Sequence, residues 1–134
     1  MAKQVGDRLL AVGIPAEMGI KWAMDPQYPR LMPNFSHGTA GIVCFLASLY
    51  RKTNEQKYLE FAHKMSAQIL NKASKDDKGM FWVQAEHRTR TDFLQAQTNL
   101  MQGAAGIGLW LLRLEEYERG QHPHIVLPDN PFLR

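Results

Sequence analysis

The chain has 134 residues, of which 45% are hydrophobic and 22% charged, a composition typical of a single globular domain. The net charge of +3 is small and no basic stripe with interleaved aromatics occurs, so a nucleic-acid partner is not indicated. The single cysteine, Cys44, excludes an internal disulfide, and no apolar run reaches the length of a transmembrane segment. Since no signal peptide is evident either, we expect a cytoplasmic protein.

The first segment of the chain has helical periodicity. Val5, Leu9 and Val12 are spaced by four and three residues, which predicts an amphipathic helix over residues 2–12 that ends at Gly13. Residues 17–33 contain three prolines and little alternation, so we predict an irregular arm there, with room for a short extended piece around residues 20–23. Trp22 in this arm is expected to fill a gap between helices.

Two further helices are expected next. Residues 39–50 are apolar on nearly every side of a helical wheel, which is typical of an inner helix surrounded by others. Thr53 and Gln56 have the spacing of a capping box, which predicts the start of an outer helix that runs to about Leu70. Cys44 and His63 lie on these two helices; we interpret Cys44 as a small core residue and His63 as structural or solvated.

The second half repeats this order. A charged turn over residues 72–78 leads to Trp82, for which we expect the same gap-filling role as for Trp22. Residues 86–92, which include His87, are interpreted as a solvated loop. Residues 101–118 predict a second inner helix, and the tail from 124 to 128 is expected to strap an apolar edge. The His-x-His at His122 and His124 lacks the carboxylate partners of a typical metal site.

The chain is an internal duplication, because a Gly-x-x-Gly-Ile sequence at residues 38–42 recurs at residues 103–107. We assign residues 1–55 to the first repeat and 56–134 to the second, within one domain of 134 residues. The predicted fold is all-α, an α/α toroid-type repeat with two outer/inner helix pairs that form a partial (α/α) barrel.

The glycine motifs are the candidate site. Glycine permits close approach of another chain at a helix start, where free amide groups converge. The residue before the motif is histidine in the first copy and glutamine in the second, so any chemistry belongs to the first. The predicted peptide- or ligand-binding and catalytic residues are His37, Gly38, Gly41, Gln102, Gly103 and Gly106.

The sequence Phe-Ser-His-Gly-Thr-Ala-Gly-Ile at residues 35–42, followed by Leu-Tyr-Arg-Lys-Thr at 49–53, resembles a repeat of the lanthionine synthetase C-like (LanC-like) proteins. Residues 100–114 and the tail at 126–128 resemble the last repeat of that family. The resemblance implies an α/α toroid in which two cysteines and one histidine hold zinc. The zinc activates a peptide cysteine thiolate, which adds to a dehydroamino acid, while a second histidine transfers a proton.

Carried over by position, only His37 matches a functional residue of the family. It matches either the proton-transferring histidine or the metal-binding histidine of a Cys-His-Gly motif, and the sequence leaves both roles open. In the second case Ser36 replaces the cysteine, and a hydroxyl is a far poorer zinc ligand than a thiolate. Met101 and Gln102 offer no ligand in the second motif, so zinc is in question as a cofactor.

Three functional interpretations follow. The first is a LanC-like domain that is catalytically degenerate or incomplete as this chain. The second is a working part of a cyclase that forms carbon–sulfur bonds, with cysteines supplied from elsewhere. The third is a helical repeat module that binds a peptide or a protein partner without turnover. Because two repeats leave apolar edges, we also expect self-association or a requirement for the remainder of a larger toroid.

Overall fold

The computed structural model describes the backbone of residues 1–16, 19–21, 23–25, 28–31, 33–36, 38–85, 90 and 92–121, and the side chains of these ranges outside 14–31. Four helices occur in these ranges: α1 (Ala2–Val12), α2 (Thr39–Thr53), α3 (Gln56–Asn71) and α4 (Ala104–Glu118). The four helices that the sequence predicts are therefore confirmed, and no described helix is long and apolar enough to cross a bilayer.

The structure is mostly helical, as expected, but the arms between the helices also contain small antiparallel strands, which the all-α prediction did not include. Each of the four described sheets is a single antiparallel hairpin. The paired strands are β1 (Ile14–Ala16) with β2 (Gly19–Lys21), β3 (Ala23–Asp25) with β4 (Tyr28–Leu31), β5 (Ser74–Asp76) with β6 (Gly79–Phe81), and β7 (Val83–Ala85) with β8 (Leu94–Ala96).

Turn chemistry explains the β5–β6 hairpin better than hydrophobic alternation does. In β5–β6, the Asp76 carboxylate accepts hydrogen bonds from the amides of Lys78, at 2.9 Å, and Gly79, at 3.1 Å. Gly79 has a φ of 134°, a conformation that glycine adopts readily. Strands β5 and β6 have three residues each and no buried residue, so they need no apolar period and the sequence pattern did not predict them.

The turn between α2 and α3 differs from the predicted capping box. Asn54 adopts a left-handed conformation and its amide bonds to the Tyr50 carbonyl, so α2 continues through Thr53. Glu55 is the N-cap of α3. The Thr53 hydroxyl donates to the Leu49 carbonyl at 2.9 Å and accepts from the Glu55 amide at 3.3 Å, so Thr53 closes α2 and does not open α3.

Helix α2 lies at the centre of the molecule, as predicted for an inner helix. One face of α2 packs in a core cluster with α3 and α4, formed by Val43, Cys44, Ala47, Ala62, Met65, Trp110, Leu114 and Tyr117. Another face packs against α1 and the start of α3, through Leu46, Leu49 and Tyr58, with Ala2 and Leu10 at the edge of the cluster. Cys44 is a buried core residue, as expected.

Helix α1 packs through a different face from the one that its valines indicated. Val5 and Val12 are exposed, whereas Gly6 is buried. A side chain at position 6 would overlap Leu49 and crowd the Tyr58 ring, so the absence of a side chain permits the close approach of α1. The small residue, rather than the larger apolar ones, therefore determines the orientation of α1.

Candidate functional site

The two glycine motifs form two helix starts with the same backbone conformation. Gly38 is the N-cap of α2, with φ −135° and ψ −166°, and Gly103 is the N-cap of α4, with φ −119° and ψ −170°. The amide of Ser36 donates to the carbonyl of Met101 at 2.8 Å, so the turns that precede the two helices are in direct contact. The fold thus brings together the two motifs that the sequence marks as equivalent.

The second glycine of each motif is in close contact with backbone. A Cβ atom at Gly41 would overlap the carbonyl oxygen of Phe35, and one at Gly106 would overlap that of Leu100. Each glycine therefore lies against the residue six positions earlier, and the tight turn before each helix requires the absence of a side chain. The repeated glycines have a packing role in both copies.

Several amides of the first helical turns are bound by preceding carbonyls. The Ala40 amide donates to Pro33 at 3.3 Å, and the Ala104 and Ala105 amides donate to Gln97 and Thr98 at 2.9 Å and 3.3 Å. These groups satisfy part of the donor capacity that a helix start presents. A ligand at either start would thus have to be held mainly by side chains.

A buried polar bridge joins the two helix starts through the second arm. The Asn34 side-chain amide donates to the Gln84 side-chain oxygen at 2.8 Å. The Gln84 side-chain N–H then donates to the backbone carbonyl of Gln102 at 2.9 Å. Asn34 is 1% exposed and Gln84 is 4% exposed. Buried polar side chains require such partners, so this bridge fixes the relative position of the two starts and of β7.

Sequence reasoning missed Asn34 and Gln84. Neither residue belongs to the repeated glycine motif, and Gln84 lies in an arm that has no helical period. The one available signal is that Asn34 directly precedes the Phe-Ser-His-Gly sequence, in a segment rich in turn-forming residues. The pairing of Asn34 with Gln84, fifty residues apart, is a long-range contact that single-sequence patterns do not carry.

The predicted site residues have different environments. Gly38, Gly103 and Gly106 are buried, and Gly41 is half-buried. Gln102 is half-buried, and its backbone N–H donates to the Asn99 side-chain oxygen at 2.8 Å. His37 lies outside the described residues, as do Trp22, His87, His122 and His124 and the tail at 124–128, so their assigned roles remain predictions.

Two side chains outside the motifs have the structural roles expected for them. Trp82 is buried against Ala40, Ile69 and Ile107, and its indole N–H donates to the Ile69 carbonyl at 2.7 Å, so it fills the gap between inner and outer helices. His63 contacts the Glu118 carboxylate at 3.1 Å and connects α3 to α4 at the surface.

The described side chains at the two helix starts do not include the thiolates of the zinc site that the resemblance implies. The described side chains there offer the Ser36 hydroxyl, the Met101 thioether and the Gln102 carboxamide, none of which replaces a thiolate as a zinc ligand. Cys44 lies two turns further along α2 in the core, where its sulfur accepts a hydrogen bond from Arg113 at 3.4 Å. A complete set of protein ligands is therefore not assembled by the described residues.

A charged cluster lies at the opposite end of α2 from the helix starts. Asp7 accepts hydrogen bonds from Lys57 at 2.6 Å and from the Tyr58 hydroxyl at 2.7 Å. These contacts, that of Lys57 first, hold the pKa of Asp7 below its ordinary value. The Lys3 ammonium, 2.8 Å from the Glu55 carboxylate, lowers the pKa of Glu55, and Lys57 makes a smaller contribution in the same direction. The hydrogen bond to the Asp7 carboxylate raises the pKa of Lys57, and the one to Glu55 adds a smaller rise. Burial raises the pKa of Tyr58. The cluster therefore fastens α1 to the α2–α3 turn.

The lanthionine synthetase C-like protein family model matches residues 3–95, which is more than half of the chain. The chain belongs to the lanthionine synthetase C-like family. The match includes α1, α2 and α3 and the first glycine motif, and the second motif with α4 lies beyond it. Neither a curated protein nor a solved structure matches the chain.

Proposed function

We propose that this chain is a LanC-like domain related to the peptide-modifying cyclases and that it is catalytically incomplete as it stands. The observation that carries the proposal is the pair of joined helix starts, whose described side chains include neither a thiolate nor a carboxylate. In the family reaction, a peptide thiolate adds to the β-carbon of a dehydroamino acid and the α-carbon takes up a proton. Without a complete ligand set, the thiolate has no metal ion to stabilise it at neutral pH.

The joined starts retain the scaffold for such a site. The Ser36–Met101 hydrogen bond and the polar bridge hold the two motifs in a fixed relation. His37 follows Ser36 directly. We propose His37 as the residue that would transfer a proton or bind a metal ion if cysteine ligands were supplied from elsewhere, by further sequence or by another subunit. Gly38, Gly41, Gln102, Gly103 and Gly106 would then form the surface that a peptide substrate approaches. A cytoplasmic location is part of the proposal.

The test is a thiol-addition assay with a model peptide that contains one cysteine and one dehydroalanine. Cyclisation leaves the peptide mass unchanged but removes the free thiol, which alkylation followed by mass spectrometry detects. We expect no rate above that of buffer for this chain, with or without added zinc. Ser36→Cys restores one family ligand and should tighten zinc binding, as measured by competition with a chromophoric chelator. Turnover by the unmodified chain, lost in His37→Ala, would refute catalytic incompleteness.

A second candidate function is a non-catalytic module that binds a protein or peptide partner, and the open face of α4 favours it. Helix α2 packs on α4 through a face that includes Ala40, Val43, Cys44 and Ala47. The second copy of the repeat lies 65 residues after the first, so each of these α2 residues has an equivalent in α4. These equivalents form what we call the open face of α4: Ala105, Gly108, Leu109 and Leu112. Ala105 is exposed, Leu112 is 59% exposed, and an atom added at Gly108 would meet nothing within 4 Å.

The duplication therefore indicates what this open face accepts. The open face of α4 is equivalent to the face of α2 that packs on α4, but no described residue covers it. We propose that a further helix packs there as α4 packs on α2, from a second copy of the chain or from the remainder of a larger toroid. Such a contact joins two different surfaces, so it would extend the row of inner helices toward a closed ring.

A further inference from the structure

A cavity of about 290 Å³ lies behind the start of α2, between the inner and outer helices. Because α2 and α3 are antiparallel neighbours, the first residue of α2 and the last turn of α3 meet at this end of the pair. The cavity is lined by Thr39 from α2, by Gln68, Ile69 and Lys72 from the end of α3, and by Trp82 and Val83. Its walls thus combine an indole and aliphatic groups with a hydroxyl, a carboxamide and an ammonium group.

The polar groups of this cavity lack the partners that buried groups normally have. Thr39 and Gln68 are each 7% exposed. Within the described part of the structure, neither the Thr39 hydroxyl nor the Gln68 carboxamide makes a hydrogen bond, in contrast to Ser66, whose hydroxyl donates to the Ala62 carbonyl at 2.8 Å. Both residues are more than nine-tenths buried and line the cavity, so their free polar groups are available to a ligand that enters it.

The duplication supplies an internal comparison. A second cavity of about 330 Å³ lies at the start of α4, lined among others by Thr98 and Ala104. Ala104 stands 65 residues after Thr39, so the hydroxyl of the first copy is a methyl group in the second. The second cavity also has a hydroxyl, a carboxamide and an ammonium group, from Thr98, Gln97 and Lys78, but none of these residues is buried as Thr39 and Gln68 are. It also has the carboxylate of Asp76, which would repel an anionic ligand.

We propose that the cavity between α2, α3 and Trp82 binds a small molecule, or the end of a peptide, that combines an apolar body with a carboxylate. The Thr39 hydroxyl and the Gln68 amide donate hydrogen bonds to the carboxylate, and Lys72, the charged residue lining the cavity, supplies the opposite charge. Trp82 and Ile69 contact the apolar body. The proposal stands independently of cyclase activity, because it uses no residue of the Ser36–His37 sequence.

The test is a titration of the isotope-labelled full chain with benzoate and with its neutral analogue benzamide, followed by NMR. We expect benzoate to shift the side-chain amide signals of Gln68 with a Kd of about 1 mM, as is usual for a ligand of this size. The corresponding residues of the second cavity, Thr98 and Ala104, should not shift. Absence of a shift at about 10 mM benzoate, or equal shifts in the two cavities, would overturn the proposal.

Variants separate binding from folding. Thr39→Val and Gln68→Leu should each weaken benzoate binding by about tenfold, the effect expected for one hydrogen bond to a charged group. Both should leave Tm close to that of the wild type, because neither removes a side-chain hydrogen bond that the described residues make. Lys72→Ala should abolish the preference for benzoate over benzamide, whereas Lys75→Ala, an exposed lysine in β5, should not. Retained binding in Gln68→Leu, or benzamide binding as tight as benzoate, would contradict the assigned carboxylate site.

Discussion

Gly41 and Gly106 make the same contact in two different helices: each lies directly against the carbonyl of the residue six positions before it. A methyl group at either position would overlap backbone, which cannot move without opening the turn at the helix start. We therefore expect Gly41→Ala and Gly106→Ala each to lower the free energy of unfolding by about 1–3 kcal/mol, as for overpacked core positions. Urea unfolding followed by circular dichroism measures the change.

Gly108 is the matched control for these two variants. It lies in the same helix as Gly106, and a methyl group there would meet nothing within 4 Å. Gly108→Ala should raise the free energy of unfolding by about 0.5–1 kcal/mol, because alanine restricts the unfolded chain and favours a helix. If Gly106→Ala were as stable as Gly108→Ala, the two helix starts would not depend on the close backbone contact.

The polar bridge gives a second prediction. Gln84→Leu removes the hydrogen bonds that Gln84 makes to the Asn34 side chain and to the Gln102 carbonyl in a buried environment. We expect a loss of about 1–3 kcal/mol in the free energy of unfolding. Gln95 is the cross-strand partner of Gln84 in the β7–β8 hairpin, and its side chain is exposed. Gln95→Leu should change stability by less than about 0.5 kcal/mol, and an equal effect of both variants would refute the bridge.

The Asp7 cluster predicts how stability depends on pH. The pKa of Asp7 is lower in the folded chain than its ordinary value of 3.8, so folding favours the ionised carboxylate. Its stabilising contribution is present above pH 3.8 and is lost as the pH falls through the folded-state pKa. Asp7→Asn should therefore lower the urea midpoint at about pH 6, and the difference from wild type should shrink toward zero on acidification below pH 3.8.

The control for this experiment is Asp77→Asn, which removes an exposed carboxylate from the turn between β5 and β6. The same pH series should show no comparable difference in the urea midpoint. A pH-independent gap between Asp7→Asn and wild type would mean that the substitution acts through shape or packing rather than through the ion pair with Lys57.

The open face of α4 predicts association. We expect the chain to sediment as a concentration-dependent oligomer, since Leu112 exposes an apolar side chain where its counterpart Ala47 is buried. Leu112→Glu should shift sedimentation velocity profiles toward the monomer, and Val83→Glu, which charges an exposed position on a hairpin, should not. A wild-type chain that is a stable monomer at every concentration would contradict this prediction.

The sequence predicted the helices because each carries a 3.6-residue apolar period or an all-apolar face, and it predicted the glycine motifs because they recur. The sequence did not predict the β5–β6 hairpin, since its three-residue strands depend on the local turn chemistry of Asp76 and Gly79. The burial of Gly6 in place of Val5 follows from the shape of the Leu49 and Tyr58 side chains, which no spacing encodes. Asn34 and Gln84 come into contact because β7 packs beside the start of α2, a long-range arrangement that the sequence pattern does not indicate.

The most direct test of the central claim is the zinc content of the purified chain, measured by elemental analysis beside His37→Ala. If the ligand set is incomplete, as we propose, the chain should retain well below one zinc per molecule after dialysis against micromolar zinc, and His37→Ala should not change that amount. About one zinc per chain, lost in His37→Ala, would contradict the account, because it would show that this chain alone assembles the metal site of a cyclase.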